Sequence, residues 1–571
     1  MLSIAKSILG LWVLFWVLAA QAEPVPMSEL ATLLRQRLEV DPATQPPLQI
    51  IAKEPLRSAE LVRQFYAQRE YRPAWFNATG SPSAATELLA ALNNAQQEGL
   101  RPADYHTTEL EKRLNRVHHP GTALTADQWL ELEVLLSDAW LSYGSHLLVG
   151  RLDPTDLDPY WGVPARSRDV VKTLQEALDG GRIAESLQAL SPPNPAYARL
   201  RAALAQYRKL EQQGGWPQLE AGPKLQPGMR DPRVAVLRAR LQAGGDLTPA
   251  AEGTSTGTDK NNVGNNVGKD ENRYDDTLAQ AVRRFQKRHG LPADGAVGAA
   301  TLAALNIPMS ARIRQLELNM ERWRWLPEDL GQRYILVNIT DFTLNVMENG
   351  QRVMNAKVIV GRTERPTPVL TATMSYLVMN PDWNVPPTIA LEDKLPILRK
   401  NAYALARQNI RVFSSGGREI DPGRVNWQKV NTSNFAYQFR QDPGPRNALG
   451  RIKFMFPNAY SVYLHDTPSR GLFNSTARMF SSGCVRISNP IELAAYLLKD
   501  NPRWTRTAIE SASQGKKQRT VPLREQIPVH LFYWTAWVDE DGTVNFRNDI
   551  YERDKRLVKA LYPGATAKQK A

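Results

Sequence analysis

The chain of 571 residues holds a single cysteine, Cys484, in the stretch Phe480-Ser-Ser-Gly-Cys-Val-Arg-Ile-Ser488, and a histidine, His465, in Ser461-Val-Tyr-Leu-His-Asp-Thr-Pro468. A lone thiol in an exported chain cannot be half of an internal disulfide, so reactivity accounts for it better than cross-linking. Thiolate is the reacting form of cysteine and a minor species at neutral pH, so a nucleophilic Cys484 needs a base and a positive neighbourhood. His465 can be the base and Arg486 can add the charge. Ser481-Ser482-Gly483 reads as a turn whose N–H groups can face an oxyanion. Ser461 to His465 alternates like a strand, which puts Tyr463 on the same strand face as His465. The plainer alternative makes Cys484 a buried small hydrophobe and His465 and Tyr463 core residues.

Other residues are candidates for holding a substrate. Arg478, between the histidine and the cysteine, and Arg486 are suited to bidentate contacts with a carboxylate, while a buried Arg486 holding loop carbonyls is the equal alternative. Asn380-Pro-Asp-Trp-Asn-Val-Pro-Pro387 is stiffened by proline; its Trp383 can wall a groove and Asn384 can hydrogen-bond there, or the segment is only a rigid corner. His106, His118, His119 and His146 lack partners at a zinc-site spacing, so no metal site is expected. His530 lies among large apolar residues and reads as structural.

The elements that must place these residues come in blocks. From Ser28 to about Leu210, apolar residues recur at helical spacing, as in Leu61-Val-Arg-Gln-Phe-Tyr66 and Leu88-Leu-Ala-Ala-Leu92. A shorter helical unit follows, interrupted by Glu252–Asn272, whose Gly, Asn, Ser and Thr cannot bury a core. Tyr334–Ile339, Thr343–Met347 and Lys357–Gly361 have strand composition. Thr388 to Arg446 is a long excursion with a helix expected over Leu391–Gln408, and such excursions often serve as lids or substrate-binding elements. Ile491–Leu498 reads as an amphipathic helix and Val529–Val538 as a closing strand. The balance of 71 Lys+Arg against 58 Asp+Glu, +13, suits an anionic partner: nucleic acid, anionic lipid or a wall polymer. Ile8–Ala20 before Ala20-Gln-Ala22 reads as a secretory signal peptide cleaved after Ala22, with an uncleaved anchor as the alternative. No second stretch is apolar enough for a span.

The arrangement His465-Asp-Thr with Ser481-Ser-Gly-Cys-Val-Arg486 resembles the motif of L,D-transpeptidases with a YkuD-like catalytic domain. It departs from many of them at Asp466 and Ser482, as the large multi-domain Gram-negative, YcbB-type members do. Tyr274–Gly295, with Phe285-Gln-x-x-x-Gly-Leu-x-x-Asp-Gly295, resembles the three-helix peptidoglycan-binding module; a spacer without glycan affinity is the alternative there. The resemblance implies a multi-domain α+β protein: a helical scaffold domain over 28–212, the peptidoglycan-binding-like module over 216–308 with its insertion at 252–272, and a mainly β YkuD-like catalytic domain over 333–540. A capping subdomain is expected over about 388–446 and a charged C-terminal tail over 541–571, with residues 1–22 as the signal peptide.

It also implies the activity. Cys484 as nucleophile and His465 as general base would attack a tetrapeptide stem of peptidoglycan, release D-alanine, and pass the acyl group to a second diaminopimelate as a 3→3 cross-link. Ser482 and Gly483 would frame the oxyanion, and Tyr463, Arg486, Arg478, Trp383 and Asn384 would line the substrate groove. No cofactor is required. Implied with this are carbapenem inhibition at the same cysteine, peptidoglycan donor and acceptor stems as partners, other wall-synthesis enzymes as neighbours, and a periplasmic location. An L,D-carboxypeptidase or endopeptidase would use the same residues with water as acceptor, and a non-catalytic wall-binding scaffold is the remaining alternative.

Overall fold

The computed structural model describes residues 25–39, 49–76, 83–119, 124–248, 270–515 and 517–563. The expected signal peptide and most of the expected insertion lie outside them. No helix among the described residues is long and apolar enough to cross a membrane. The chain forms two compact units, one from the described residues up to Gln96 with Leu100–Leu147 and Arg168–Ser191, the other from Gln97–Gly99, Leu148–Ser167 and Pro192 onward.

The first unit is helical. Helices Ala59–Gln68, Ser83–Asn93, Thr107–His118 and most of Ala126–Val149 bury Val62, Phe65, Leu88, Leu92, Leu135 and Trp140. Its buried acidic groups are hydrogen-bonded within the unit. His106 Nε2 lies 2.8 Å from the buried Asp138 carboxylate, which also accepts the N–H groups of Arg57 and Ser58 at a helix start. Buried Glu133 accepts from Trp75 N–H and the Tyr66 hydroxyl, and burial pushes its carboxyl up to about 7.

In the second unit, Arg233–Ala243, Asp276–Arg288 and Ala299–Leu305 pack Leu237, Leu278, Val282, Phe285 and Leu305 into one small core. Buried Gln286 donates to Asp294 Oδ1 and the Ala296 carbonyl and accepts from Gly295 N–H, so it fastens the loop after its own helix. That bonding accounts for the Phe-Gln and Asp-Gly spacing. Gly290, at φ +67°, ends the helix in the left-handed region. Arg288 makes two 2.6 Å bonds to Asp246.

The rest of the second unit is built on one ten-stranded sheet. In chain order its strands are β1 (Trp161–Gly162), β2 (Arg333–Asn338), β3 (Thr343–Glu348), β4 (Gln351–Gly361), β5 (Val369–Met379), β6 (Ile452–Met455), β7 (Leu464–His465), β8 (Met479–Ser481), β9 (Val485–Ile487) and β10 (Arg519–Phe532). They follow the order β6-β7-β9-β4-β3-β2-β10-β5-β1, with β8 also on β4, and β6 pairs with β5 as well. The sheet therefore closes on itself, removing the free edges that an open sheet would expose. The interior is filled by Ile335, Val337, Leu344, Val346, Phe454, Leu464 and Val529, all fully buried.

Three expectations are corrected. The single helix over Leu391–Gln408 is instead a π-turn at Ala390–Lys394, a short helix Leu395–Lys400 and a 3-10 turn Ala406–Gln408; Pro396 has no N–H to continue the ladder. This excursion has its own three-stranded sheet, Trp383–Asn384, Ile410–Ser414 and Tyr437–Gln441, and its own core. The closing strand runs Arg519–Phe532, with a register break between Pro522 and Ile527, and Ala536–Val538 pairs separately with Val544–Phe546. The segment expected as a charged tail is packed as far as residue 563: Leu557 and Leu561 of helix Arg553–Leu561 pack on Leu318 and Trp325, and Tyr551 is buried.

Removing one member of a buried ion pair leaves the other charge uncompensated. Asp246→Ala is expected to destabilise the second unit by about 3 to 5 kcal/mol, read as a lower denaturation midpoint with faster amide exchange in helix Asp276–Arg288.

Candidate active site

Two short strands set the site. In the parallel pairing of β7 with β9, Leu464 faces Val485 and His465 faces Arg486, while antiparallel β6 puts Lys453 opposite His465 and Phe454 opposite Leu464. Side chains alternate across a sheet. Phe454, Leu464, Val485 and Ile487 accordingly point into the barrel core. Lys453, Tyr463, His465, Cys484 and Arg486 take the other face. A separation of nineteen positions along the chain thus becomes a neighbouring-strand relation.

His465 is 4% exposed, and its Nδ1 lies 2.6 Å from the Asp466 carbonyl. A carbonyl only accepts, so Nδ1 carries the proton and Nε2 keeps its lone pair. Burial, with Arg486 and Lys453 adding like charge, drives the imidazole down to about 3 against the pull of the Asp466 and Leu449 carbonyls. His465 is therefore neutral throughout the physiological range. Asp466 holds the strand end: its carboxylate accepts Arg451 N–H and pairs with Arg470, both at 2.8 Å. Gly450 is at φ +60°, and a Cβ there would lie 2.4 Å from Asp466 Cγ, so only glycine leaves room for the carboxylate.

Cys484 is half-buried, with Sγ 4.0 Å from the Ser461 carbonyl. Burial pushes its thiol up; the Tyr463 N–H and hydroxyl and the charges of Lys453 and Arg486 oppose this without overcoming it. The buried Tyr463 hydroxyl interacts with both the thiol and Trp383. Its ring lies 5.7 Å from that of His465, and Lys453 Nζ sits 3.9 Å from its centroid. At rest the Cys484 thiol and the His465 imidazole are thus both neutral.

The remaining candidates divide. Ser482 Oγ accepts from Arg365, whose guanidinium is gripped by Asp393 and Glu392. Gly483, at φ +112°, makes the turn, but its N–H donates to Ser481 Oγ and is already committed. Among the described residues no hydrogen bond engages the Cys484 N–H. Arg486 reaches the site face, its buried Nε lacking a partner and its guanidinium lowered by burial. Arg478 does not line the groove: it donates to the carbonyls of Val358, Ser475 and Phe342 and lies over the Phe342 ring, so it braces the loop. Trp383 is buried in the core of the excursion, not exposed, with Lys394 over its ring, while Asn384 beside it is exposed. His530 bonds Thr371 Oγ1 and the Leu330 carbonyl and is structural. Lys453 was not singled out from the sequence. Its signal was the alternation of Arg451, Lys453 and Met455 with Ile452, Phe454 and Phe456, a basic residue on the outer face of a strand leading to the histidine.

Three stretches of the chain match known protein families. Residues 332–509 match the L,D-transpeptidase catalytic domain family, 60–204 a scaffold domain and 261–305 a peptidoglycan-binding domain. A Haemophilus influenzae protein provisionally named an L,D-transpeptidase is 36% identical over 244 residues, 43% of this chain and 49% of its own length. The chain thus spans about half the length of that curated relative. Among solved structures, L,D-transpeptidases from Xylanimonas cellulosilytica (16% identity, 55% of this chain and 100% of that one, TM-score 0.17) and Stackebrandtia nassauensis (15%, 55% and 96%, 0.20) are similar over part of the chain. Scores that low carry no argument. The three matches divide the chain among stretches similar to a scaffold domain, a peptidoglycan-binding domain and an L,D-transpeptidase catalytic domain.

A thiol held neutral by burial has an alkylation rate that climbs with pH beyond the ordinary cysteine value of about 8.5, with no plateau near neutrality of the kind an ion pair gives. Removing a cation from beside it moves it further up. Lys453→Met is expected to slow iodoacetamide alkylation of Cys484 at pH 8 by about 3- to 10-fold and to shift the profile to higher pH; Lys453→Arg should retain most of the rate.

Proposed function

We propose that the protein is an L,D-transpeptidase that forms 3→3 cross-links between peptidoglycan stem peptides through a Cys484 acyl-enzyme. The observation that carries the reading is that the strand ending in a carbonyl-oriented, neutral His465 pairs with the strand that starts immediately after Cys484. As Cys484 Sγ attacks the carbonyl of diaminopimelate in a tetrapeptide stem, its proton passes to His465 Nε2 and the carbonyl oxygen becomes an oxyanion facing the Cys484 N–H. An imidazole whose conjugate acid is this strong surrenders the proton readily. The C–N bond breaks, the proton goes to the departing nitrogen, and D-alanine leaves a thioester on Cys484.

The side-chain amine of a second diaminopimelate then attacks the thioester, gives a proton to His465, and expels the sulfur, which recovers it. Arg486 and Lys453 supply positive charge for the carboxylates of such stems. The excess of positive charge, +13, favours approach to an anionic wall. The peptidoglycan-binding domain gives a second hold on the same polymer. This reading places the protein in the periplasm after signal-directed export, among other wall-synthesis enzymes.

Incubation with purified tetrapeptide stems should yield cross-linked dimers and free D-alanine by mass spectrometry. Cys484→Ala and His465→Ala are expected to lower dimer formation at least about 1,000-fold. A carbapenem should add its mass to the wild type, not to Cys484→Ala, and only slowly to His465→Ala. Trimmed monomers without dimers would replace transfer by hydrolysis. A folded wild type that neither forms product nor takes up the carbapenem would refute the acyl-enzyme.

A further inference from the structure

The turn that carries Cys484 is held from behind by residues that the reaction does not use. Gly483 offers its carbonyl to Thr367 Oγ1 at 2.9 Å, and the same hydroxyl accepts Gly361 N–H at 2.9 Å. A hydroxyl has one hydrogen, so with Gly361 as its donor the Thr367 proton is committed to Gly483. Thr367 is fully buried. Its own N–H donates to the Tyr551 hydroxyl at 3.3 Å, and that hydroxyl donates to the Gly361 carbonyl at 2.5 Å. Arg553 donates to the Thr367 carbonyl at 3.3 Å. Gly361 closes the loop so tightly that an added Cβ would lie 2.2 Å from the Arg365 carbonyl oxygen.

The other groups of the turn are spoken for. Gly483 N–H donates to Ser481 Oγ, and Ser481 Oγ donates to the Cys484 carbonyl at 2.5 Å. Cys484 N–H is the group left over. In a trans peptide the carbonyl and the N–H that share a plane point in opposite directions. Fixing the Gly483 oxygen toward buried Thr367 therefore fixes the Cys484 N–H the other way, out of the protein interior. A donor aimed in advance at a developing oxyanion contributes most when it need not reorganise during the reaction.

We propose that Thr367, steadied by Tyr551 of the C-terminal segment, is a positioning residue that aims the Cys484 N–H at the oxyanion of acyl transfer. The proposal rests on the acyl-enzyme reading above. It separates two reactions of the same sulfur: acylation builds an oxyanion, whereas alkylation by iodoacetamide is a displacement at carbon that builds none. Acylation by a carbapenem, followed by intact mass, and alkylation by iodoacetamide should be timed for wild type, Thr367→Val, Thr367→Ser and Tyr551→Phe, each first checked for folding by near-UV circular dichroism. Thr367→Val and Tyr551→Phe are expected to acylate about 10- to 100-fold more slowly, Thr367→Ser within about 3-fold of wild type, and all four to alkylate within about 2-fold of one another. If Thr367→Val does not fold, Tyr551→Phe decides by the same criteria. Acylation at the wild-type rate in the folded variants, or alkylation that falls in step with acylation, overturns the positioning role. A wild type that alkylates but never acylates overturns instead the reading on which it stands.

Discussion

The site depends on the register between two strands of two and three residues. Setting His465 opposite Arg486 and Leu464 opposite Val485 assigns every neighbouring side chain to a face. Leucine, valine and phenylalanine go into the barrel, while lysine, tyrosine, histidine, cysteine and arginine go out to the cleft. A slip by one position would exchange the sets, burying Arg486 in the core and presenting Val485 to solvent. The fully buried Phe454, Leu464 and Val485 forbid that exchange. Burial of the three, worth about 1.5 to 3 kcal/mol each, thereby also fixes the side of the sheet on which the chemistry sits.

The same packing sets the charge state. Lys453 and Arg486 both come down in pKa through burial, and the Cys484 charge opposes the fall in each. With Tyr463 closing over the thiol, the cleft carries cationic groups around a nucleophile that is still protonated. Such a site holds its attraction in reserve: it favours negative charge most when that charge appears, on sulfur, on the oxyanion or on a substrate carboxylate. Two neutral partners also avoid the cost of desolvating an ion pair at rest.

Much of this was legible in the sequence, for identifiable reasons. Cys484 stood out as a lone thiol, and the alternation of Ser461 to His465 gave the strand face shared by Tyr463 and His465. Helices with strong apolar periodicity, such as Asp276–Arg288, were readable for the same reason. What escaped was tertiary. Nothing near Arg478 in the chain announces that its guanidinium is consumed by three carbonyls, one of them Phe342, far upstream. Trp383 looked exposed because prolines surround it, yet the excursion that follows folds back and buries it. Residues 541 to 563 looked like a charged tail because the apolar pairs Leu557-Val558 and Leu561-Tyr562 stand among charged residues and do not stand out until Leu318 and Trp325 are placed against them.

The turn Ser481–Cys484 shows why those distant pieces belong to the site. It contains a glycine at φ +112°, and beyond Ser481 it has no ladder pairing until Val485, so in an isolated chain it would sample many conformations. Three separate segments restrain it. The loop from Gly361 to Thr367 holds the Gly483 carbonyl, Arg365 links Ser482 to Asp393 and Glu392 of the excursion, and Tyr551 with Arg553 secures Thr367 from the C-terminal segment. None of these segments carries Cys484 or His465. Strand register places sulfur and imidazole, but the direction of a single N–H needs a peptide plane fixed from outside the strand. That requirement explains why the catalytic fold extends beyond its last sheet strand at Phe532, to a tyrosine and an arginine packed beneath the loop that faces Cys484.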